Sequence, residues 1–338
     1  MRWPLGICGA MGVLVGFALS GLSGRVAAAD STPAPAPAPF VEGKLALAPS
    51  DVVAFLGGAD VAAAQHSGHL EALLTIHAHA RGRSVRFRNF GWEGDTVFSQ
   101  PREIGFPSIE TQLATSRVTV VFLQFGRMES LDGSARVAEF TRAYAALLGR
   151  CLQRTPRVVL IAPPPFEKAP GPLPDLSSRN ADLAAYVNGV RELAHKQRLP
   201  FADAFSSLRR DRDAYGRLTD NGLQLSSRGQ ALLAAACARE LGLGDVLAQA
   251  GTIDEHGAWS NPAFERLRQA VIGKNRLWFD YSRPQNWAFL GGDRTTQPSS
   301  RDHRDPKLRW FPKEMEQFLP LIEAKEAEIQ ALTEGLSR

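Results

Sequence analysis

A three-layer α/β/α fold around a five-stranded, mainly parallel sheet is predicted by three features of this sequence. Short, continuous apolar runs recur along it, helical patterns alternate with them, and the loops after the runs open on glycine, proline or aspartate. Val52-Val53-Ala54-Phe55-Leu56, closed by Gly57-Gly58, suits a strand buried on both faces. Leu70, Leu73, Leu74 and 76–80 follow a helical period, and 85–90 is a second strand. Val118 to Phe125, Val158 to Ala162 and Pro200 to Ala202 supply the other three. Helices are expected near 106–116, 134–152, 177–197 and 227–241. In such a sheet a ligand binds outside the carboxyl ends of the strands. The loops that matter therefore begin at Gly57, Gly91, Gly126, Pro163 and Asp203.

The chain has 338 residues, 44% hydrophobic and 22% charged, which is enough for a full core and excludes disorder and a polytopic membrane protein. Arg2 precedes an apolar, Gly-rich run to about Leu22, then Ala27-Ala28-Ala29. This pattern predicts a signal peptide over 1–29, with an uncleaved N-terminal anchor as the alternative. The expectation is therefore an exported protein, periplasmic or extracellular, with no membrane span after cleavage. A net charge of +4 includes Arg2 and Arg25, and the remainder is too small a bias for nucleic acid. Residues 30–43 contain Ala34-Pro35-Ala36-Pro37-Ala38-Pro39, an extended spacer that cannot pack a core. The globular domain is then 44–245, followed by a helical extension over 246–338. Cys151 and Cys237 sit in Ala/Leu-rich helical stretches and are expected as two buried thiols rather than a bridge. No spacing suggests a metal site, and no cofactor is expected.

The site loops read FLGGADV at 55–61, RNFGWEGDT at 88–96, FGRMES at 125–130 and LTDNGLQLSSRG at 218–229. In order and spacing these blocks resemble the SGNH or GDSL hydrolase superfamily of secreted esterases and lipases, over about 51–241. The resemblance implies a nucleophilic serine where Ala59 stands and an oxyanion glycine at Gly94. It implies an oxyanion asparagine where Met128 stands, and the aspartate and general-base histidine where Asn221 and Gln224 stand. Alanine has no nucleophile, methionine no donor, and a glutamine amide does not exchange a proton near neutral pH. The Ser-His route is thus unavailable, and the expected function is an esterase-like fold that binds a ligand or partner.

Other chemistry is considered at the same loops. Asp60, Asp95, Glu129 and Asp220 could form a carboxylate cluster that runs general acid and base catalysis on a glycosidic bond or holds a cation, and the alternative function is an active hydrolase on ester bonds of an acylated carbohydrate that uses such a constellation. Arg127 could hold the anionic group of a glycan, or pair with Glu129 or Asp95. His66 and His69 are expected on a helix surface or in packing. In the extension, Asn261 to Tyr281 and Pro320 to Leu336 read as helices around an Arg-rich loop. Its aromatics, Trp278, Phe279, Tyr281, Trp287, Phe289, Trp310 and Phe311, suit docking onto the domain better than a sugar-stacking wall. They could also make a lid over the site, and the C-terminal helices could receive a protein partner.

Overall fold

The computed structural model describes residues 38–336, so the expected signal segment and most of the Ala-Pro spacer lie outside the described residues. Five strands, β1 (Val52–Gly57), β2 (Arg86–Asn89), β3 (Val120–Gln124), β4 (Val158–Ile161) and β5 (Phe201–Ala202), form one sheet in the order β2-β1-β3-β4-β5. Every neighbouring pair is parallel, as the apolar runs require. The chain steps from β1 to one edge, then returns past β1 to β3. That reversal opens a crevice between the loops after β1 and β3.

The helices are α1 (Ala59–Ala64), α2 (His69–His79), α3 (Ile109–Thr115), α4 (Val137–Arg154), α5 (Asn180–Gln197), α6 (Ala204–Tyr215) and α7 (Ser227–Glu240). They continue as α8 (Gly244–Ala250), α9 (Pro262–Ser282), α10 (Trp287–Leu290), α11 (Trp310–Glu316) and α12 (Phe318–Gly335). Alternate residues along the strands feed opposite faces. Val53, Val120, Phe122 and Val159 pack with α2 and α7, whereas Ala54, Val121, Leu123 and Leu160 pack with α3, α4 and α5. The predicted helix from 106 starts only at Ile109, because Ser108 caps it by accepting from Thr111 N at 3.2 Å. Helices α1, α6, α8, α10 and α11 escaped the sequence pattern: α1 is a short Ala-rich turn, and five of the twelve residues of α6 are charged. Cys151 and Cys237 are buried and unpaired, and burial pushes both thiols up to about 12. Among the described residues no helix is long and apolar enough to cross a membrane.

The extension shares the core of the sheet domain. Helix α9 starts on Asn261, whose Oδ1 accepts from Ala263 N at 3.0 Å, with Pro262 in the first turn. It then runs along the outer edge of β2. Lys274 Nζ donates to Phe87 O at 3.2 Å and Trp278 Nε1 to Asn89 O at 2.8 Å. These carbonyls belong to an edge strand that no further strand pairs. Phe264, Leu267 and Val271 join the core on one face of the sheet, and Trp278 and Ile322 join it on the other. Packing thus continues across residue 245, and Trp278 serves docking. Lys274 Nζ also lies 2.7 Å from Glu71 Oε1, with both groups buried.

Losing one member of a buried pair strands the other charge, whereas replacing both with apolar groups is far cheaper. Lys274→Met should cost about 3–5 kcal/mol in urea unfolding, and Lys274→Met with Glu71→Leu should recover most of it.

Candidate functional site

Strand β1 ends at Gly57, and Gly58 leads directly into α1, so Ala59 is the first residue of the helix. A Cβ at Gly58 would sit 2.7 Å from Asp95 O, so only glycine lets the loop after β2 lie against this turn. That loop is held at its base by Asn89, whose Nδ2 donates to Val61 O at 2.8 Å and whose Oδ1 accepts from Gly91 N at 2.8 Å. Strand β3 leads into Phe125 and then Gly126 at φ 117°, followed by Arg127, Met128 and Glu129. The loop before α7 is tied by Glu167, whose Oε2 accepts from Leu218 N, Thr219 N and Thr219 Oγ1 at 3.0, 2.8 and 2.6 Å. Within it Asn221 Oδ1 accepts from Leu223 N and Gln224 N at 3.1 and 2.7 Å, which turns this segment toward the other loops.

Together these loops enclose a cleft of about 380 Å³. Ala59, Met128, Asn221 and Gln224 line it, joined by Asp60, Asp95, Arg127 and Glu129. Gly94 and Asp220, also singled out in the sequence, are exposed and are not among its lining residues. Among its polar lining residues, His66, Glu93 and Gln230 were not anticipated as part of the site. Glu93 adjoins Gly94-Asp95, a signal available in the sequence. His66 follows α1 in a turn that reaches the cleft rim, with its ring 6.3 Å from Phe279.

Three of the four acids that line the cleft are paired with a guanidinium of the protein. Arg127 Nη1 donates to Asp60 Oδ1 at 2.7 Å and its Nη2 to Pro165 O at 3.0 Å, while its guanidinium lies 5.3 Å from the Phe166 ring. Its partner is therefore Asp60, rather than Glu129 or Asp95 as the sequence suggested, because α1 carries residue 60 across the end of β3. Asp95 instead receives two hydrogen bonds from Arg102, at 2.6 and 2.7 Å. Glu129 accepts from Val97 N at 2.8 Å and Gly126 N at 2.9 Å, so its carboxylate joins two of the site loops. Burial pushes Asp60 above the usual aspartate range against the opposing pull of Arg127. It likewise raises Asp95 against Arg102, and Glu129 against its backbone donors. Asp60, Asp95 and Glu129 line the one cleft, each held by different partners, while Asp220 stands outside it, and among the described residues no group of three or more acids, histidines or cysteines could hold a metal ion.

The extension reaches this site from the side. Trp92 lies between the Arg102 and Arg283 guanidiniums, 4.0 and 4.5 Å from its ring, and Arg283 Nη1 donates to Glu93 Oε2 at 2.8 Å. The lid considered in the sequence is not formed, since every cleft-lining residue precedes 231.

The GDSL-like lipase/acylhydrolase family matches residues 58–232, slightly more than half of the chain. The chain belongs to that family. Similar solved structures include a gut microbial diltiazem-metabolizing enzyme, at 16% identity and a TM-score of 0.43, where the match covers 59% of this chain and 48% of that one. The acetylxylan esterase Axe2 from Geobacillus stearothermophilus has 15% identity and a TM-score of 0.44, with 59% and 97% covered. A member of the lipolytic G-D-S-L family from Veillonella parvula has 14% identity and a TM-score of 0.42, with 57% and 98% covered. No curated protein matches the sequence. In this GDSL-like protein, then, Ala59, Met128 and Gln224 stand together in the cleft at the strand ends.

His69, the first residue of α2, is buried in packing, with Nε2 donating to Gly257 O at 2.6 Å and its ring edge-on to Trp259. Burial, helped by nearby Arg268, lowers its pKa to about 4. A histidine depressed in the folded state is protonated first in the unfolded chain. Its stabilising contribution is complete above pH 6.5 and is lost as the pH falls to 4. From this residue the loss should be about 3 kcal/mol, read as a drop in the urea midpoint that His69→Gln flattens.

Proposed function

We propose that this GDSL-like protein is an exported binding protein whose cleft takes a neutral, polar ligand of the acylated-sugar class and performs no serine-esterase chemistry. The observation that carries this reading is the company of Ala59, Met128 and Gln224 in one cleft. At the positions where the resemblance places nucleophile, oxyanion donor and base, no side chain can attack, donate or exchange a proton. The family's fourth position, Gly94, has kept its residue but stands at the exposed rim. Export is supported by the Arg2-led apolar segment and its Ala27-Ala28-Ala29 end.

The charge pairing favours a neutral ligand. Asp60 is matched by Arg127, Glu93 by Arg283 and Asp95 by Arg102, so an anionic glycan would find no free guanidinium at the cleft. Polar groups at its wall, Asn221 and Gln224 among them, suit the hydroxyls of a sugar. Catalysis by Asp60, Asp95 and Glu129 is the weaker reading. Each carboxylate is already held by a guanidinium or by backbone N–H groups, and releasing it for proton transfer would break those bonds.

The test is hydrolysis of short-chain acyl esters and acetylated sugars by the chain from Asp30 onward, beside Ala59→Trp, which fills the cleft. Both should show the same background. Installing the family's side chains through Ala59→Ser, Met128→Asn, Asn221→Asp and Gln224→His should raise turnover by about 10²-fold or more. Wild-type turnover that disappears in Ala59→Trp would overturn the proposal.

A further inference from the structure

A second, smaller space lies beside the cleft on the α2 and α7 face of the sheet. Phe55, Phe122 and Ile161 of the strands bound it on one side and Leu233 and Cys237 of α7 on the other, around about 50 Å³. Gln65, in the turn between α1 and α2, also lines it. That side chain is only 3% exposed, and its Nε2 is buried without a hydrogen-bond partner. A buried amide donor with nothing to bond is a standing cost to the fold unless an acceptor occupies the space beside it.

Apart from Gln230, the other polar side chains on the walls are engaged elsewhere. Asn89 bonds Val61 O and Gly91 N, Gln124 donates to Ala162 O, and Asn275 bonds Gln65 O and Lys274. Glu71 is paired with Lys274. A water held here would find Gln65 and, toward the cleft, Gln230, the low end of the two to four partners that buried water keeps. The apolar walls disfavour a charged guest. Cys237 stays a neutral thiol, its pKa pushed up to about 12 by burial.

Gln230 is the one residue that lines both this chamber and the cleft. Its side chain makes no hydrogen bond to the rest of the described chain, so turning it aside breaks none. We infer that the chamber binds a small neutral group bearing a hydrogen-bond acceptor, of the size of a short ketone or acyl unit, which enters from the cleft past Gln230 and accepts from Gln65 Nε2. Its route of entry rests on the reading of the cleft as a ligand site, but occupancy of the chamber can be tested without that reading.

The probes are 2-butanone and xenon, titrated into the isotope-labelled chain from Asp30 onward and followed by NMR. In the wild type both should give saturable shifts at the Leu233 methyls, and butanone should also shift the Gln65 side-chain amide. Gln65→Leu should keep the xenon response and weaken butanone about tenfold. Its thermal midpoint should not fall, because an unmet donor has been removed. Cys237→Leu, which fills part of the chamber, should abolish both responses while the remaining spectrum stays folded. Absence of saturable shifts in the wild type, or butanone affinity indifferent to Gln65→Leu, would overturn the inference. Either result leaves the cleft proposal to its own assay, so the two can fail separately.

Discussion

The outer edge of β2 presents Phe87 O and Asn89 O to a side where no strand pairs, and much of the structure depends on how those two acceptors are met. An open edge of this kind invites pairing with another chain. Here Lys274 and Trp278 of α9 reach the two carbonyls from the side, and their helix covers the edge. A buried lysine demands a counter-charge, so Glu71 of α2 is drawn in, and the extension becomes joined to the sheet by charge as well as by apolar contact. The loop that leaves β2 runs directly into Trp92, Glu93 and Asp95. The edge cover therefore also fixes one wall of the cleft.

The same coupling explains the electrostatics of the cleft. Arg283, at the C-cap of α9, pairs with Glu93 and lies over the Trp92 ring, while Arg102 lies over the same ring and grips Asp95. Arg127 turns to Asp60. Arg127 and Arg102 thereby neutralise acids, Asp60 and Asp95, that the strand-end architecture has placed in partial or full burial, where an unpaired charge would be costly, while Glu93 is exposed. Glu129 lacks a cation but holds two backbone donors, and it braces the loops after β2 and β3 against each other. Three of the four acids that line the cleft are thus matched by a guanidinium, and the fourth is held by backbone N–H groups.

Much of this was legible in the chain. Strands buried on both faces write themselves as unbroken apolar runs, so all five, and their parallel sense, follow from composition alternating with helical period. The site loops follow in turn, since ligands gather at the carboxyl ends of such strands. Ala59, Met128, Asn221 and Gln224 could be named from their blocks and do meet in one cleft. Less legible were α1 and α6, whose stretches lack a clear apolar period. His66 was not legible as a site residue because nothing local marks a side chain that a turn will bring to a rim, whereas Glu93 stood next to the Gly94-Asp95 block.

By itself the sequence determined the layer architecture, the strand order of events along the chain, the two buried thiols and the absence of a Ser-His pair at the four blocks. Local pattern is sufficient for these, because burial on two faces and side-chain chemistry are properties of each segment alone. Only the tertiary structure decided that Arg127 answers Asp60, that the extension caps a sheet edge and stops short of the cleft, and that Gln65 faces a chamber with its amide unbonded. Those outcomes depend on groups separated by tens to hundreds of residues, such as Arg127 with Asp60 or Trp278 with Asn89. Pairing across such separations is chosen by packing geometry and the cost of leaving a buried polar group unmet, and no stretch of sequence carries that information on its own.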